Sequence, residues 1–311
     1  MTKILLIGRD GQVGWELQRA LALLGELYAI NSADCDLADT KKLRAIITGF
    51  KPDFIVNAAA YTAVDKAETD IELARAVNAT VPGVMAEEAL KLGAWLIHYS
   101  TDYVFDGTKE GLYLEGDVPN PLNVYGATKL EGELAIQQSG CRHLIFRTSW
   151  VFATRGNNFA KTMLRLAVER DVLKVVGDQQ GAPTSAELIA DVTALCLQRV
   201  LLQKSDVLDG VYHLTASGYT TWHAYAQYVL SYAVKVGISL RCQPEDVIAI
   251  PSSEYPVPAK RPMNSILDST KLQKAFAITL PDWQYHAARM LEEVLDPQPK
   301  NINITDSESS R

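Results

Sequence analysis

Near its N-terminus the chain reads Ile4-Leu-Leu-Ile-Gly-Arg-Asp-Gly-Gln-Val-Gly14, a stretch in which an apolar run enters a turn with three glycines. Four apolar residues before a glycine indicate a buried strand, and the apolar spacing that follows indicates a helix. Glycine permits positive φ and lets a pyrophosphate approach the backbone at a helix N-terminus. The spacing G-x-x-G-x-x-G departs from G-x-G-x-x-G, but its strand-turn-helix context predicts dinucleotide binding. The residues concerned are Gly8, Gly11, Gln12, Val13 and Gly14.

The same alternation of strand and helix continues to about residue 150. Apolar runs that end in small or polar residues occur at 54–56, 95–99 and 144–146, and helical patterns occur at 40–50, 71–92 and 123–138. Strands that alternate with helices predict a parallel sheet covered on both faces. The expected fold class is therefore α/β, with a doubly wound, Rossmann-like sheet whose ligands bind beyond the carboxyl ends of the strands.

The regular alternation weakens after residue 150, where Pro and Gly become frequent. We expect a dinucleotide-binding domain at 1–150 and a smaller, mixed substrate-binding domain at 151–295, from which some segments return to the first domain. Helical patterns recur in this second part at 186–203 and 222–236. The polar tail at 296–311 is expected to be disordered.

Composition narrows the function classes. The 311 residues carry a net charge of −7 and no basic stripe, which argues against binding nucleic acid. Four cysteines are scattered without a C-x-x-C pair, so neither a zinc ribbon nor a disulfide framework is indicated. There is no apolar run long enough for a signal peptide or a membrane span. We expect a cytoplasmic protein with a small-molecule substrate and no membrane partner.

Further cofactor contacts are expected where the second and third strands end. The second strand ends in Asn31-Ser32, without the acid that usually binds the ribose of NAD. A 2′-phosphate would therefore be tolerated, but without a neighbouring arginine it would lack a strong anchor, so NADH and NADPH both remain open. Asp36 and Leu37 could contact the adenine, or Asp36 could cap the next helix. Small side chains after the third strand leave room for ribose and phosphate at Ala58, Ala59, Ala60 and Tyr61.

A tyrosine and a lysine lie four residues apart in Asn123-Val-Tyr-Gly-Ala-Thr-Lys129. Residues at this spacing share a helix face and could be a solvated polar stripe. Alternatively, the Lys129 ammonium could favour the Tyr125 phenolate and lower its pKa for proton transfer. Thr101, at the end of an earlier strand, adds a hydroxyl that could bind a carbonyl or cap a helix. The ordered occurrence of all these features favours the catalytic interpretation.

The combination resembles the extended short-chain dehydrogenase/reductases, whose catalytic set corresponds here to Thr101, Tyr125 and Lys129. Within them, the chain is similar to the dTDP-4-dehydrorhamnose reductase family through nearly its whole length. The likeness rests on the stretches 11–17, 57–68, 100–107, 121–129, 146–151, 156–163, 178–184 and 261–265.

The resemblance implies reduction of the C4 ketone of dTDP-4-dehydro-L-rhamnose by NADPH or NADH, the last step of dTDP-rhamnose synthesis for polysaccharides. Tyr125 would donate the proton, Lys129 would lower the tyrosine pKa and hold the nicotinamide ribose, and Thr101 would orient the ketone oxygen. The resemblance also places three residues at the substrate. They are Asp102 and Trp150 at the sugar and Arg261 at the diphosphate.

Related families leave alternatives open. Nucleotide-sugar dehydratases carry Asp-Glu after the threonine, whereas Asp102 is followed here by Tyr103, which favours a reductase. An epimerase or a reductase of another nucleotide sugar would use the same Tyr125 and Lys129. A non-catalytic role is also open, because the regulatory subunit of methionine adenosyltransferase resembles this family. Some relatives are homodimers that share Mg²⁺, which here implies Glu16, Glu187 and Glu293 as ligands.

Overall fold

The computed structural model describes residues 1–203 and 206–295, and the expected disorder at 296–311 lies outside this part of the chain. The strands lie at β1 Lys3–Ile7, β2 Glu26–Ile30, β3 Phe54–Asn57, β4 Trp95–Thr101, β5 Arg142–Thr148, β6 Val151–Phe152, β7 Leu173–Val176, β8 Gln180–Gly181, β9 Thr184–Ser185, β10 Gly210–His213, β11 Thr220–Thr221 and β12 Val247–Ile250. The α-helices are α1 Gln12–Leu21, α2 Thr40–Phe50, α3 Val64–Ala67, α4 Ile71–Arg75, α5 Val81–Leu92, α6 Val124–Ser139, α7 Phe159–Glu169, α8 Ala186–Gln203, α9 Trp222–Lys235, α10 Thr270–Phe276 and α11 Trp283–Leu295.

A six-stranded sheet in the order β10-β5-β4-β3-β1-β2 forms the centre of the molecule. Every pairing in it is parallel. The order reverses between β1 and β3, so the connections diverge there and leave a crevice beyond the carboxyl ends of these two strands. The doubly wound parallel sheet expected from the sequence is confirmed.

Both faces of this sheet are buried because alternate strand residues point to opposite sides. Ile4, Leu6 and Val56 pack with α1 and α8 on one side, where Leu17, Leu21 and Ile189 belong to the same core cluster. Leu5, Ile7 and Ile55 pack on the other side with α2, α5 and α6, through residues such as Leu43, Met85 and Ile136. Because the residues on both sides of each strand are buried, the strands are uninterrupted apolar runs in the sequence.

The chain returns to the large sheet after residue 150. β10 pairs with β5 at its edge, and α8 packs against α1. The remaining strands form small pairs, β7 with β12, β8 with β11 and β6 with β9. The helices α7 and α11 pack against α9, and α9 packs against β7, β11 and β12.

The predicted helix at 71–92 proves to be interrupted. A π-helical turn at Ala76–Thr80 separates α4 from α5 and directs Asn78 inward, where its amide bonds the Tyr61 backbone and the Thr128 hydroxyl. A π-turn adds a residue to the helical repeat and is not visible in an apolar pattern. The helices predicted at 40–50 and 186–203 have the bounds expected from the sequence.

No helix in the described part of the chain is long and apolar enough to cross a membrane. The four cysteines are buried free thiols.

Candidate active site

The glycine turn brings β1, α1 and the end of β3 into close contact. Gly8 has a φ of 89°, and a Cβ there would lie 2.7 Å from the backbone nitrogen of Ala59. Its own amide donates to Ile30 at 3.0 Å, which ties the turn to the end of β2. Gly11 is the N-cap of α1 and supplies no side-chain cap. The first amides of α1 therefore remain available to an anion at the crevice.

A cleft of about 750 Å³ lies beyond the carboxyl ends of β1, β3 and β4. Many of the residues predicted for cofactor and substrate line it, namely Gly8, Gly11, Gln12, Val13, Leu37, Ala58, Ala59, Ala60, Thr101, Asp102, Tyr125, Lys129 and Trp150. Gly14 lies one turn into α1, where any Cβ would overlap the carbonyl of Gly8. The Gln12 side-chain oxygen is buried without a partner, so the cleft wall holds an unused acceptor.

Tyr125 is placed beside Thr101 by the way α6 begins. Asn123 caps the helix, with its side chain accepting from the Gly126 amide at 2.8 Å. A Cβ on Gly126 would overlap the carbonyl oxygen of Tyr103, so glycine allows α6 to lie directly on the turn that follows β4. The Tyr125 ring then meets the edge of the Tyr103 ring, with centroids 5.8 Å apart.

Thr101 connects this turn to the phenol. Its hydroxyl donates to Asp102 Oδ1 at 2.9 Å and accepts from the Tyr103 amide at 3.1 Å. It also lies beside Tyr125, where it acts to lower the pKa of the phenol. Thr101 is thus the cap of the short turn and a neighbour of the proposed acid at once, so the two interpretations made from sequence are compatible.

Lys129 lies one turn beyond Tyr125 and is 1% exposed. Its ammonium donates to the Tyr99 carbonyl at 2.6 Å and lies 3.1 Å from His98 Nε2. Burial lowers the pKa of Lys129 to about 8, while Glu133 on the next turn acts to raise it. The polar-stripe interpretation is therefore wrong, because this side chain is enclosed by the sheet.

The expectation that Lys129 lowers the pKa of Tyr125 is also wrong for this structure. Burial raises the pKa of Tyr125 to about 12, and the Asp102 carboxylate adds to the rise, against the effect of Thr101. The Lys129 ammonium instead points to the β4 backbone and to His98. Tyr125 therefore stays protonated at neutral pH, which is the form required of a proton donor.

Asp102 is 3% exposed and has one carboxylate oxygen without a partner. Burial raises its pKa to about 6, although the Ser265 hydroxyl and the Thr101 hydroxyl, which bonds the other oxygen, act to lower it. An unpaired carboxylate oxygen at the cleft wall is suited to accept from a ligand hydroxyl.

Two tryptophans form the wall of the cleft opposite the glycine turn. Trp150 has a φ of 48°, which is rare for a side chain of this size, and its ring stacks on Trp222 with centroids 3.5 Å apart. Phe159 supports Trp222 from behind, with centroids 4.6 Å apart. The sequence does not single out Trp222, because an aromatic residue at the first position of α9 belongs to no motif.

Some predicted contacts lie outside this cleft. The Asp36 carboxylate bonds the Ala38 amide, and the cap of α2 is Asp39 instead. The Tyr61 hydroxyl bonds Asp70 at 2.9 Å. Arg261 is not among the cleft residues and pairs with Asp65 at 2.8 Å. Its charge nevertheless acts to lower the pKa of Tyr103, which lines the cleft.

The end of β2 does have a neighbouring arginine, contrary to the expectation. The Arg9 guanidinium donates to the Ala29 carbonyl at 2.9 Å and pairs with Asp34 at 3.2 Å. Arg9 comes from the glycine turn, so a search along the second strand could not find it. Asn31 and Ser32 line the adjoining part of the cleft.

The three glutamates predicted as magnesium ligands each have another partner. Glu16 pairs with Arg19 at 3.5 Å, Glu187 pairs with Arg289 at 2.9 Å, and Glu293 accepts from the Thr154 hydroxyl at 2.8 Å. Within the described residues no group of His, Cys, Asp or Glu side chains is arranged to hold a metal ion. The predicted magnesium ligands do not form a site within this chain.

Taken together, the sheet reversal, the open helix N-terminus and the Thr101, Tyr125 and Lys129 arrangement define a nicotinamide-dependent oxidoreductase of the short-chain dehydrogenase/reductase class. The chain belongs to the RmlD substrate binding domain family, which matches residues 1–295.

Similar proteins of named function align over nearly the whole matched length. The chain is 55% identical over 295 residues to the dTDP-4-dehydrorhamnose reductase of Escherichia coli K12, covering 94% of this chain and 97% of that protein. Among solved structures, a dTDP-4-dehydrorhamnose reductase of Clostridium acetobutylicum superimposes with a TM-score of 0.82 at 34% identity, covering 95% and 99% of the two chains. The Bacillus anthracis enzyme in complex with NADP gives 0.82 at 30% identity, covering 96% and 100%.

Proposed function

We propose that the protein reduces the C4 ketone of dTDP-4-dehydro-L-rhamnose to dTDP-L-rhamnose with NADPH or NADH, the last step of dTDP-rhamnose biosynthesis. Family membership supports the reaction, and the observation that carries it to this chain is a buried Tyr125 and Lys129 at the floor of the cleft. A nicotinamide bound there would supply a hydride to the ketone carbon.

The protein's own groups would handle the proton. As negative charge develops on the ketone oxygen, the Tyr125 O–H bond breaks and its proton passes to that oxygen. The pKa of about 12 keeps the phenol protonated until then. The Thr101 hydroxyl turns its hydrogen from Asp102 to the ketone oxygen and orients it, and the Lys129 ammonium holds the cofactor ribose.

The cofactor fits the glycine turn. Gly8 lies against Ala59 with no room for a side chain, and the first amides of α1 face the same crevice. The pyrophosphate is assigned to this turn and the riboses to Ala58, Ala59 and Ala60. Arg9 at the end of β2 suits the 2′-phosphate of NADPH, because a guanidinium binds phosphate with two donors.

The sugar nucleotide is assigned to the opposite wall of the cleft. Asp102 offers its unpaired oxygen to a sugar hydroxyl, and Trp150 and Trp222 offer an apolar surface. In this proposal residues 1–150 hold the cofactor, residues 151–295 supply Trp222, and β10 returns to complete the large sheet. Arg261 stays a proposed diphosphate contact that would have to exchange its partner Asp65 for the ligand.

The test is nicotinamide oxidation at 340 nm with dTDP-4-dehydro-L-rhamnose and with a uridine-linked 4-keto sugar. We expect turnover with the thymidine nucleotide and formation of dTDP-L-rhamnose. Tyr125→Phe should bind NADPH nearly as the wild type does and lose at least about a hundredfold in kcat. Tight cofactor binding without turnover of either sugar would refute the proposal and favour a regulatory role.

We also propose a homodimer in the cytoplasm, which follows from the family resemblance. Light scattering after size exclusion, with magnesium and with a chelator, tests the assembly. A monomer under both conditions would contradict it.

A further inference from the structure

A line of polar side chains runs under the cleft from the end of β3 to Lys129. The Ala59 amide donates to Asn57 Oδ1 at 3.2 Å, and Asn57 Nδ2 lies 3.1 Å from His98 Nδ1. His98 Nε2 lies 3.1 Å from Lys129 Nζ, which donates to the Tyr99 carbonyl. Asn57 and His98 are each 1% exposed, so water does not compete for these bonds.

The direction of the first bond is fixed by the backbone. A backbone amide can only donate, so the side-chain atom of Asn57 that faces Ala59 must be the oxygen. The NH₂ group of Asn57 then faces His98 Nδ1, which has to accept. Burial, the largest cause, holds the pKa of His98 well below its usual range, so the ring is neutral. A neutral imidazole that accepts at Nδ1 carries its proton on Nε2.

The Nε2–H group consequently points at the nitrogen of Lys129. A charged ammonium has three donors and no acceptor, so it would face another donor across 3.1 Å. A neutral amine has a lone pair that accepts from Nε2–H while one of its own hydrogens bonds the Tyr99 carbonyl. Each donor that faces another group along the line from Ala59 to Lys129 then meets an acceptor.

We propose that Asn57 and His98 are a positioning pair that fixes His98 as the Nε2–H tautomer and thereby favours release of a proton from Lys129. The pair does not touch the reacting atoms; it acts through Lys129. The inference rests on the proposed function, in which Lys129 acts as the ammonium: the pair lowers the pH above which that form is lost.

Other charges around Lys129 act in both directions. Glu133, one turn further along α6, favours the ammonium, but it is already engaged by Arg147 from β5 at 2.6 Å and by the Ser100 hydroxyl from β4. Asp102 and Tyr125 share the cleft with Lys129. Among these groups, the Asn57 and His98 pair is the one in which a single substitution can reverse the direction of the hydrogen bonds.

Asn57→Asp makes that inversion. One carboxylate oxygen can still accept from Ala59, and the other now accepts from His98 Nδ1–H. The free Nε2 lone pair then accepts from the Lys129 ammonium and stabilises its charge. The substitution changes the side-chain volume little and reverses the direction of the hydrogen bonds from residue 57 to Lys129.

The first readout is ¹⁵N NMR of histidine rings in the wild-type protein, which reports the tautomer directly. We expect the Nε2–H tautomer for His98, assigned by the loss of its signals in His98→Gln. His143 is a control with the opposite expectation, because its Nδ1 faces the Cys141 carbonyl at 2.9 Å and must donate. A wild-type His98 that is an Nδ1–H tautomer or an imidazolium overturns the inference without any variant.

The second readout is the pH profile of kcat for sugar reduction. The falling limb, where Lys129 loses its proton, should move to higher pH by at least about one unit in Asn57→Asp. The new carboxylate also attracts the ammonium through its charge, so Asn57→Asp is repeated in a His98→Phe background, where no imidazole can relay the change. The inference predicts a much smaller shift in that background. An equal shift in both backgrounds, or an unmoved midpoint in Asn57→Asp, overturns it. If neither protein reduces the sugar, the proposed function fails while the NMR measurement still decides the tautomer.

Discussion

Replacing Lys129 by methionine should raise the stability of the protein at neutral pH while abolishing its activity. The side chain is 1% exposed, and its pKa falls from 10.5 to about 8 on folding. Folding therefore moves the Lys129 side chain into a buried site that disfavours its charged form. Methionine has a similar length and no charge, so it removes this cost.

The size of the effect follows from the pKa shift. Each pKa unit corresponds to about 1.4 kcal/mol, so the buried ammonium destabilises the fold by about 3 kcal/mol at pH 7. Between pH 8 and 10.5 the unfolded chain binds more protons at this lysine than the folded chain, so its contribution to stability rises with pH. The penalty is fully present below pH 8 and is lost as the pH approaches 10.5. Methionine leaves the Tyr99 carbonyl unpaired, which offsets about 1–3 kcal/mol at every pH.

Urea unfolding at pH 7 and pH 10 separates these contributions. The wild type should gain about 2–3 kcal/mol relative to Lys129→Met between the two pH values, because other titrating groups cancel in the comparison. Lys41→Met, at an exposed position on α2, controls for the loss of a lysine. Parallel pH dependence of the wild type and Lys129→Met would refute the reasoning, since it would mean that Lys129 titrates alike in the folded and unfolded states.

Three further substitutions test the geometry of the cleft. Gly8→Ala should cost at least about 1 kcal/mol in thermal unfolding and weaken NADPH binding, because of the φ of 89° and the close backbone contact. Gly49→Ala, in open space at the C-terminal end of α2, should be neutral or stabilising by up to about 1 kcal/mol. Trp222→Ala should raise the KM for the sugar nucleotide several-fold and leave NADPH affinity, measured by fluorescence, unchanged; Trp222→Phe should recover part of the loss, and an unchanged KM would remove Trp222 from the substrate wall. Arg9→Ala should lower kcat/KM for NADPH about tenfold with little change for NADH, and equal losses with both cofactors would contradict a 2′-phosphate contact.

Much of the architecture could be predicted because the signals are local. Uninterrupted apolar strands and helical spacing are direct consequences of a sheet buried on both faces. The π-turn at Ala76–Thr80 escaped prediction because the apolar spacing continues through it. Strands of two residues, such as β8 and β9, carry no period that could be read.

The site residues likewise fall into those that local sequence patterns predict and those that they do not. Thr101, Tyr125 and Lys129 are predicted because each follows a recognisable strand end or helix start, and the structure brings all three to one cleft. Trp222 lines the cleft, and Arg9 lies at the end of β2, through tertiary contacts that sequence spacing does not encode. The prediction that Lys129 lowers the pKa of Tyr125 is wrong, because a spacing of four residues along a helix does not determine where the Lys129 amine points.

The return of the chain to form β10 has a consequence for biosynthesis. β5 is buried almost throughout and lies at the sheet margin until Gly210–His213 has been translated. At roughly 5–20 residues per second, the ribosome leaves that margin unpaired for several seconds. An apolar strand with free amides and carbonyls templates intermolecular pairing. Nascent chains should therefore depend on chaperones during this interval, and truncated products that end before Gly210 should accumulate in inclusion bodies.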